Sequence, residues 1–135
     1  MIEVKVTHQG EVKFQVTARR HTLICDQPAE NCGTDEGMTP PELFLSALAS
    51  CAAFYAVAYL KKKNLQRQGV EVRATVEKAG PPARLDHFNI QVDVPGPLSE
   101  ADQAGVTDSV HRCLIHNTLL HPPTVHIKLH TPVVA

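Results

Sequence analysis

The sequence predicts an α+β domain in which two helices cross one face of an antiparallel sheet. Two observations support this prediction. Short segments alternate apolar and polar residues, which is typical of half-buried strands, and two longer segments each begin with a helix N-cap signal. A chain of 135 residues can form one domain with its own core. We therefore expect a single domain over residues 1–135, with the element order β-β-β-α-β-β-α-β.

Six segments carry the alternating pattern of strands. Glycine, proline and polar residues separate them, which is typical of turns and loops. The longest of these polar segments is a loop over 26–37, directly before the first helix. The predicted strands cover 2–7, 12–16, 21–25, 70–76, 88–94 and 125–129.

The first predicted helix begins at a strong N-terminal signal. Thr39 suits the N-cap, Pro40 suits the first helical position, and Glu42 completes a capping box three residues after the cap. Residues 43–60 contain no charged side chain, and apolar or small residues cover every face. A helix of this kind is surrounded by protein. Because so small a domain cannot cover it on all sides, we expect a homodimer with this helix at its centre.

The second predicted helix begins at Ser99, where Asp102 follows as a helix-start signal, and continues to about Thr118. A proline pair at 122–123 follows its end. An apolar stripe at helical spacing should face the core. Its members are Val106, Val110, Cys113 and Leu114.

Charge and composition exclude several classes of partner. The formal net charge is −1, so no basic surface for nucleic acid is indicated. The apolar segment 43–60 is barely long enough to cross a membrane and contains many alanines and serines, so we expect no membrane partner. The N-terminus lacks a signal-peptide pattern, and we expect a cytoplasmic protein. Thiols are normally reduced there, so the four cysteines need a role other than disulfide staples.

Three features together resemble a known family. They are the segment 37–43 (Gly-Met-Thr-Pro-Pro-Glu-Leu), the alanine-rich helix that reaches Cys51, and a cysteine in the segment 110–115 (Val-His-Arg-Cys-Leu-Ile). This combination resembles the OsmC-like and organic-hydroperoxide-resistance superfamily over nearly the whole chain. The resemblance implies an intertwined α+β homodimer with the cysteine helices at its centre. It also implies thiol-dependent reduction of organic hydroperoxides, with a dithiol as reductant.

The resemblance assigns roles to individual residues. Cys51 corresponds to the peroxidatic cysteine and Cys113 to the resolving cysteine. An arginine from the N-terminal β region activates the peroxidatic thiol in the family, and Arg19 or Arg20 lies in the comparable stretch here. We also consider Arg112, beside Cys113, as an activating cation.

The chain departs from the family at the glutamate that follows the helix-start proline. Pro41 occupies that position, and Glu42 follows it. We take Glu42 as the candidate catalytic carboxylate, although its place in the capping box explains it without catalysis. Glu42 and Cys51 are nine residues apart and project from opposite sides of a straight helix.

Two other functions remain open. The same fold could bind a small hydrophobic ligand without catalysis, with both thiols serving as packing. A third hypothesis is a metal- or redox-sensing module that uses the histidines with Cys25 and Cys32. No local run meets the spacing rule for tetrahedral zinc, and on a continuous helix His111 and His116 are offset by roughly 140°. We therefore expect no metal and no cofactor.

Overall fold

The computed structural model describes residues 1–134, which form five strands and three α-helices. A single 3-10 turn, Ala29–Asn31, lies in the loop between the third strand and the first helix. The predicted α+β class is confirmed. In chain order the elements are β1 (Lys5–His8), β2 (Phe14–Ala18), β3 (His21–Cys25), α1 (Pro40–Lys62), β4 (Glu71–Ala79), β5 (Arg84–Asp93), α2 (Glu100–His111) and α3 (Leu114–Leu120).

The strands form two antiparallel sheets. β1, β2 and β3 form a meander in which Val16 pairs with Val6 on one side and with Leu23 on the other. β4 and β5 form a hairpin whose register shifts between Thr75 and Glu77. β3 has the predicted bounds, whereas β1 begins later than predicted. In the β1–β2 register Lys5 pairs with Thr17, so residues 2 and 3 lie opposite the β2–β3 turn and not opposite a strand.

The start of α1 is the predicted capping box. The Thr39 backbone N–H donates to Glu42 Oε1 at 2.9 Å, and the Glu42 backbone N–H donates to Thr39 Oγ1 at 3.4 Å. These two bonds satisfy donors that have no partner within the helix. The predicted structural role of Glu42 is confirmed.

One stripe of α1 forms the core. Its buried residues lie four apart, at Leu48, Ala52, Ala56 and Leu60, and α1 packs on α2, α3 and the β4–β5 hairpin. α2 crosses α1 at Gly105, where the Tyr59 ring fills the space that a Cβ would need. The close approach is fixed by polar contacts, since Tyr59 Oη donates to Asp102 Oδ1 at 2.9 Å.

The opposite side of α1 is not covered within one chain. Phe54, which projects from that side, is 68% exposed. By length and composition α1 could cross a membrane, and 22% of its most apolar 18-residue window is buried. In this fold it is the central helix of an α+β domain, and protein surrounds only part of it.

The prediction of one continuous second helix is wrong. The helix is interrupted at Arg112 and Cys113, so that α2 ends at His111 and α3 begins at Leu114. As a result Cys113 is buried, as predicted, but Leu114 is 63% exposed instead of facing the core. The predicted N-cap, Ser99, is confirmed, because its Oγ accepts from the Asp102 backbone N–H at 3.1 Å.

The predicted last strand, 125–129, is also wrong for a single chain. The segment after α3 forms no strand within the described residues. A strand needs a neighbour to complete its hydrogen bonds, and none of the five strands in residues 1–134 pairs with this segment. Its alternating apolar side chains, Val125, Ile127 and Leu129, are 75%, 92% and 86% exposed.

Candidate functional site

The helix break places Cys113 at a defined position, the N-cap of α3. Its Sγ accepts a hydrogen bond from the His116 backbone N–H at 3.5 Å. The side chain is 1% exposed. The new helix start also leaves backbone N–H groups of the first turn of α3 without partners inside the helix.

Two of those N–H groups point at Cys51. This residue lies on α1 and is half-buried. Burial raises the pKa of its thiol, but the Cys113 thiol and the backbone N–H groups of Leu114 and Ile115 act in the opposite direction. Their combined effect holds the Cys51 pKa below its ordinary value, because hydrogen-bond donors favour the charged sulfur. The structure therefore brings the two sequence-predicted cysteines together.

The two thiols differ in protonation. Burial and the neighbouring Cys51 sulfur raise the pKa of Cys113. Cys113 is therefore the thiol that holds its proton more strongly, and Cys51 is the sulfur that ionises first. Both cysteines are free thiols. A sulfur that ionises readily beside one that keeps its proton is an arrangement that suits thiol–disulfide chemistry.

A cavity of about 670 Å³ lies next to this pair, between α1, β5, α2 and α3. Cys113 lines it, whereas Cys51 does not. Most of the wall is aliphatic or aromatic, and such a wall favours apolar ligands. Its apolar members include Leu48, Phe88, Ile90, Val92, Val106 and Leu119.

Two histidines form the polar part of the cavity wall beside Cys113. His111 ends α2 and His116 lies in the first turn of α3, and both line the cavity. Their ring centroids are 5.6 Å apart. The offset expected for a continuous helix does not apply, because the helix breaks between them. No glycine or proline marks that break in the sequence, so sequence reasoning missed this pairing.

The other two cysteines are not brought together. Cys25 ends β3 and is 7% exposed, and burial together with the Asp26 charge raises its pKa. Cys32 is exposed at the end of the 3-10 turn, with a left-handed backbone. Among residues 1–134 no group of three or more histidine, cysteine or carboxylate side chains is placed to hold a metal ion.

Asp26, which sequence reasoning did not single out, organises the loop that follows β3. It is 1% exposed. Its carboxylate accepts from the backbone N–H groups of Gln27 at 2.8 Å and Glu36 at 3.0 Å, and from Thr34 Oγ1 at 3.0 Å. The Glu36 and Gln27 bonds hold the pKa of Asp26 below its usual range. This loop leads directly into the N-cap of α1.

The remaining candidate residues lie away from the thiols of the same chain. Arg19 and Arg20 form the exposed turn between β2 and β3. No arginine, Arg112 included, is among the groups that shift the pKa of Cys51. The carboxylate of Glu42 is held by Thr39. The structure therefore groups Cys51 with Cys113, and places Arg19, Arg20 and Glu42 elsewhere in the chain.

The fold and the paired thiols agree with a comparison against protein families. The family model described as OsmC-like protein matches residues 33–128. The chain belongs to the OsmC-like family. Comparison with curated protein sequences gives no significant match.

Solved structures share the fold at low sequence identity. A putative osmotic stress induced and detoxification response protein from Psychrobacter arcticus 273-4 is 22% identical, with a TM-score of 0.80 over 87% of this chain and 88% of that one. An OsmC-like protein from Mycoplasma pneumoniae is 21% identical, with a TM-score of 0.78 over 90% and 89%. An organic hydroperoxide resistance protein from Legionella pneumophila is 18% identical, with a TM-score of 0.62 over 88% of each chain.

Proposed function

We propose that this protein is a thiol-dependent peroxidase that reduces organic hydroperoxides through Cys51 and Cys113. The observation that carries the proposal is the placement of the free Cys51 thiol beside the free Cys113 thiol and the first turn of α3, surroundings that lower the pKa of Cys51. A thiolate is the reactive form of cysteine. The name of the Legionella relative, an organic hydroperoxide resistance protein, agrees with this activity.

The reaction follows from the two protonation states. The Cys51 thiolate attacks the distal oxygen of the hydroperoxide, the O–O bond breaks, and Cys51 becomes a sulfenic acid. The alkoxide that leaves takes up one proton and becomes an alcohol. The Cys113 sulfur then attacks the Cys51 sulfur and forms a disulfide, with loss of one water. A dithiol reductant restores both thiols and is itself oxidised to a disulfide.

The apolar cavity supports an organic substrate in preference to hydrogen peroxide. Its wall beside Cys113 consists largely of aliphatic and aromatic side chains. Burial of an apolar substituent there contributes binding energy that hydrogen peroxide does not have. We expect a higher kcat/KM with cumene hydroperoxide than with hydrogen peroxide, and equal values would contradict this preference.

Homodimerisation is part of the proposal. The uncovered side of α1 carries Phe54, and Val6, Leu23 and the segment after α3 also expose apolar side chains. A second copy that covers these surfaces would also give the segment 125–129 a strand to pair with. Analytical ultracentrifugation should show a dimer, and Phe54→Glu should weaken it while Ala104→Glu, on the exposed side of α2, should not. A monomer at micromolar concentration would contradict this part.

The activating arginine remains a prediction. Arg19 and Arg20 lie in an exposed turn of the same chain, so a second subunit would have to bring one of them to Cys51. Arg19→Ala and Arg20→Ala test each position, because loss of the activating guanidinium should slow oxidation of Cys51. If both variants oxidise Cys51 at the wild-type rate, the Cys113 thiol and the α3 backbone N–H groups are left as the groups that stabilise the thiolate.

One mass-spectrometric titration tests the peroxidase. The protein receives one equivalent of cumene hydroperoxide, and Cys51→Ser and Cys113→Ser are treated in parallel. We expect loss of two hydrogens per wild-type chain with a Cys51–Cys113 link, and a persistent sulfenic or sulfinic acid on Cys51 in Cys113→Ser. Unmodified wild-type thiols would contradict the proposal. The cytoplasmic location that we expect agrees with a dithiol reductant.

A second candidate function rests on the cavity itself. Its volume of about 670 Å³ and its apolar wall suit a small hydrophobic ligand. In this case Cys51 and Cys113 would be packing residues, and the protein would bind without catalysis. Native mass spectrometry that shows a co-purifying apolar molecule, together with thiols that hydroperoxide leaves unchanged, would favour this function over the peroxidase.

A further inference from the structure

The peroxidase proposal leaves one proton without a carrier. Cys113 is 1% exposed and keeps its proton, since burial and the Cys51 sulfur raise its pKa. Its sulfur becomes a good nucleophile only when that proton leaves. Formation of the disulfide must also deliver a proton to the hydroxide that departs from Cys51. A group beside Cys113 that accepts a proton and then releases it would serve both needs.

His116 occupies the position from which such a group can act. Cys113 is the N-cap of α3, and His116 is the third helical residue. Its backbone N–H donates to Cys113 Sγ at 3.5 Å. The His116 side chain also lines the same cavity as Cys113.

His111 continues this arrangement toward solvent. Its ring centroid lies 5.6 Å from that of His116. His116 is half-buried in the cavity wall, whereas His111 is exposed at the end of α2. The two imidazoles thus lead from the buried thiol to the surface. Imidazole is the side chain that most readily both accepts and donates a proton near neutral pH.

We propose that His116 carries the proton of Cys113 during formation of the Cys51–Cys113 disulfide, with His111 linking it to solvent. The inference rests on the proposed peroxidase function. His116 takes the proton from the Cys113 sulfur, which attacks the Cys51 sulfur as the S–O bond of the sulfenic acid breaks. The hydroxide that leaves receives the proton from His116, and water departs. No electron is gained or lost beyond the two already supplied to the hydroperoxide.

Few other titratable groups surround this site. Among the described residues that line the cavity, the titratable side chains are His111, Cys113 and His116. α1 adds Cys51 next to Cys113. The β5 side chains that face the cavity are apolar. A histidine that speeds disulfide formation at this site is therefore either His111 or His116, and single substitutions separate the two.

The test follows the two chemical steps separately. Wild-type protein, His116→Gln and His116→Ala are mixed with one equivalent of cumene hydroperoxide and quenched at intervals. Mass spectrometry then measures Cys51 sulfenic acid, trapped by a dimedone reagent, and the Cys51–Cys113 disulfide. His21→Gln is the matched control, because His21 is exposed on β3. Glutamine is at least as good a helix former as histidine, so the fold should persist in His116→Gln.

We expect sulfenic acid to form at the wild-type rate in both His116 variants. Disulfide formation should fall about 10²-fold, the lower range for loss of a general base. Free imidazole should restore it in His116→Ala, which a merely structural defect would not allow. His111→Gln should reduce it less.

Each result can be assigned. Wild-type disulfide rates in His116→Gln and His116→Ala would overturn this inference and leave the peroxidase intact. Slow disulfide formation that imidazole fails to restore would also overturn it, because a packing defect would then explain the loss. Wild-type thiols that hydroperoxide does not oxidise would overturn the proposed function, and this inference with it.

Discussion

The chain contains two pairs of cysteines whose surroundings differ. Cys25 and Cys32 are close in sequence, on either side of one loop, yet the first is buried with a raised pKa and the second is exposed. Cys51 and Cys113 are far apart in sequence, yet they lie beside each other at the start of α3, where each shifts the pKa of the other. Carboxylate charge lies beside Cys25, whereas N–H donors lie beside Cys51. We therefore expect thiol reactivity to depend on the N–H groups and charges that the fold places beside each sulfur, and not on the distance between cysteines in the sequence.

The largest expected effect comes from removing the sulfur that ionises first. Cys51→Ser should abolish peroxide turnover, because a serine hydroxyl does not replace a thiolate at neutral pH. Cys25→Ser and Cys32→Ser are the matched controls, and both should retain turnover. Activity is measured as consumption of cumene hydroperoxide with a dithiol reductant. Turnover in Cys51→Ser, or its loss in Cys32→Ser, would break the comparison between the two pairs.

Removing the neighbouring thiol should change Cys51 itself. Cys113→Ala deletes a hydrogen-bond donor, so the pKa of Cys51 should rise. The α3 amides should keep part of the effect. Iodoacetamide alkylation of Cys51, followed by peptide mass spectrometry across pH, measures the change. An unchanged alkylation midpoint would show that the thiol contact has no role in stabilising the thiolate.

Local signals predicted much of this architecture. The capping box at Thr39 and the bounds of β3 depend on residues adjacent in sequence, and the sequence predicted both correctly. The break at Arg112 depends on how α2 and α3 pack on α1, and it carries no glycine or proline signal. The predicted apolar stripe therefore includes one residue too many, the exposed Leu114.

The remaining differences have the same origin. The alternation at 125–129 is a strand pattern, but a strand forms only where another strand pairs with it. The pairing of Cys51 with Cys113 came from a family resemblance, and no spacing in the sequence indicated it. Asp26 was missed because an aspartate in a polar loop looks like a solvated residue until the fold buries it.

The region around Cys51 depends on the close crossing of α1 and α2. Gly105→Ala would place a methyl group inside the Tyr59 ring, and we expect a loss of about 1–3 kcal/mol in unfolding free energy. The same glycine-to-alanine substitution at an exposed helix position would raise the unfolding free energy, because alanine favours the helix over glycine by about 1 kcal/mol. Urea unfolding measures the sign. A more stable Gly105→Ala variant would contradict the crossing.

The loop that contains Cys32 leads into α1 through its cap. Thr39→Ala removes both side-chain bonds of Thr39 to Glu42 and should cost about 1 kcal/mol. Glu42→Gln should reduce stability less, because a glutamine side chain can still accept from the Thr39 backbone N–H. Thermal unfolding measures both effects. Loss of peroxide turnover in Glu42→Gln at unchanged stability would restore its candidate catalytic role.

The smallest effect should be the acid sensitivity of the Cys25–Cys32 loop. Since its hydrogen bonds lower the folded-state pKa of Asp26, the stabilisation is present above the unfolded pKa of about 3.9 and is lost as pH falls through the folded value. Asp26→Asn should lower Tm at pH 7 by less than Thr39→Ala does, and should flatten its decline between about pH 5 and pH 2. A Tm–pH curve parallel to wild type would contradict this role.

The pH dependence of Cys51 alkylation in the unmodified protein tests the central claim most directly. Peptide mass spectrometry can follow Cys51 and Cys25 in the same sample. The account predicts a Cys51 midpoint below that of an ordinary thiol, about 8.5, and a Cys25 midpoint above it. A Cys51 midpoint at or above that of an ordinary thiol would contradict the claim that Cys113 and the first turn of α3 hold this sulfur as a thiolate.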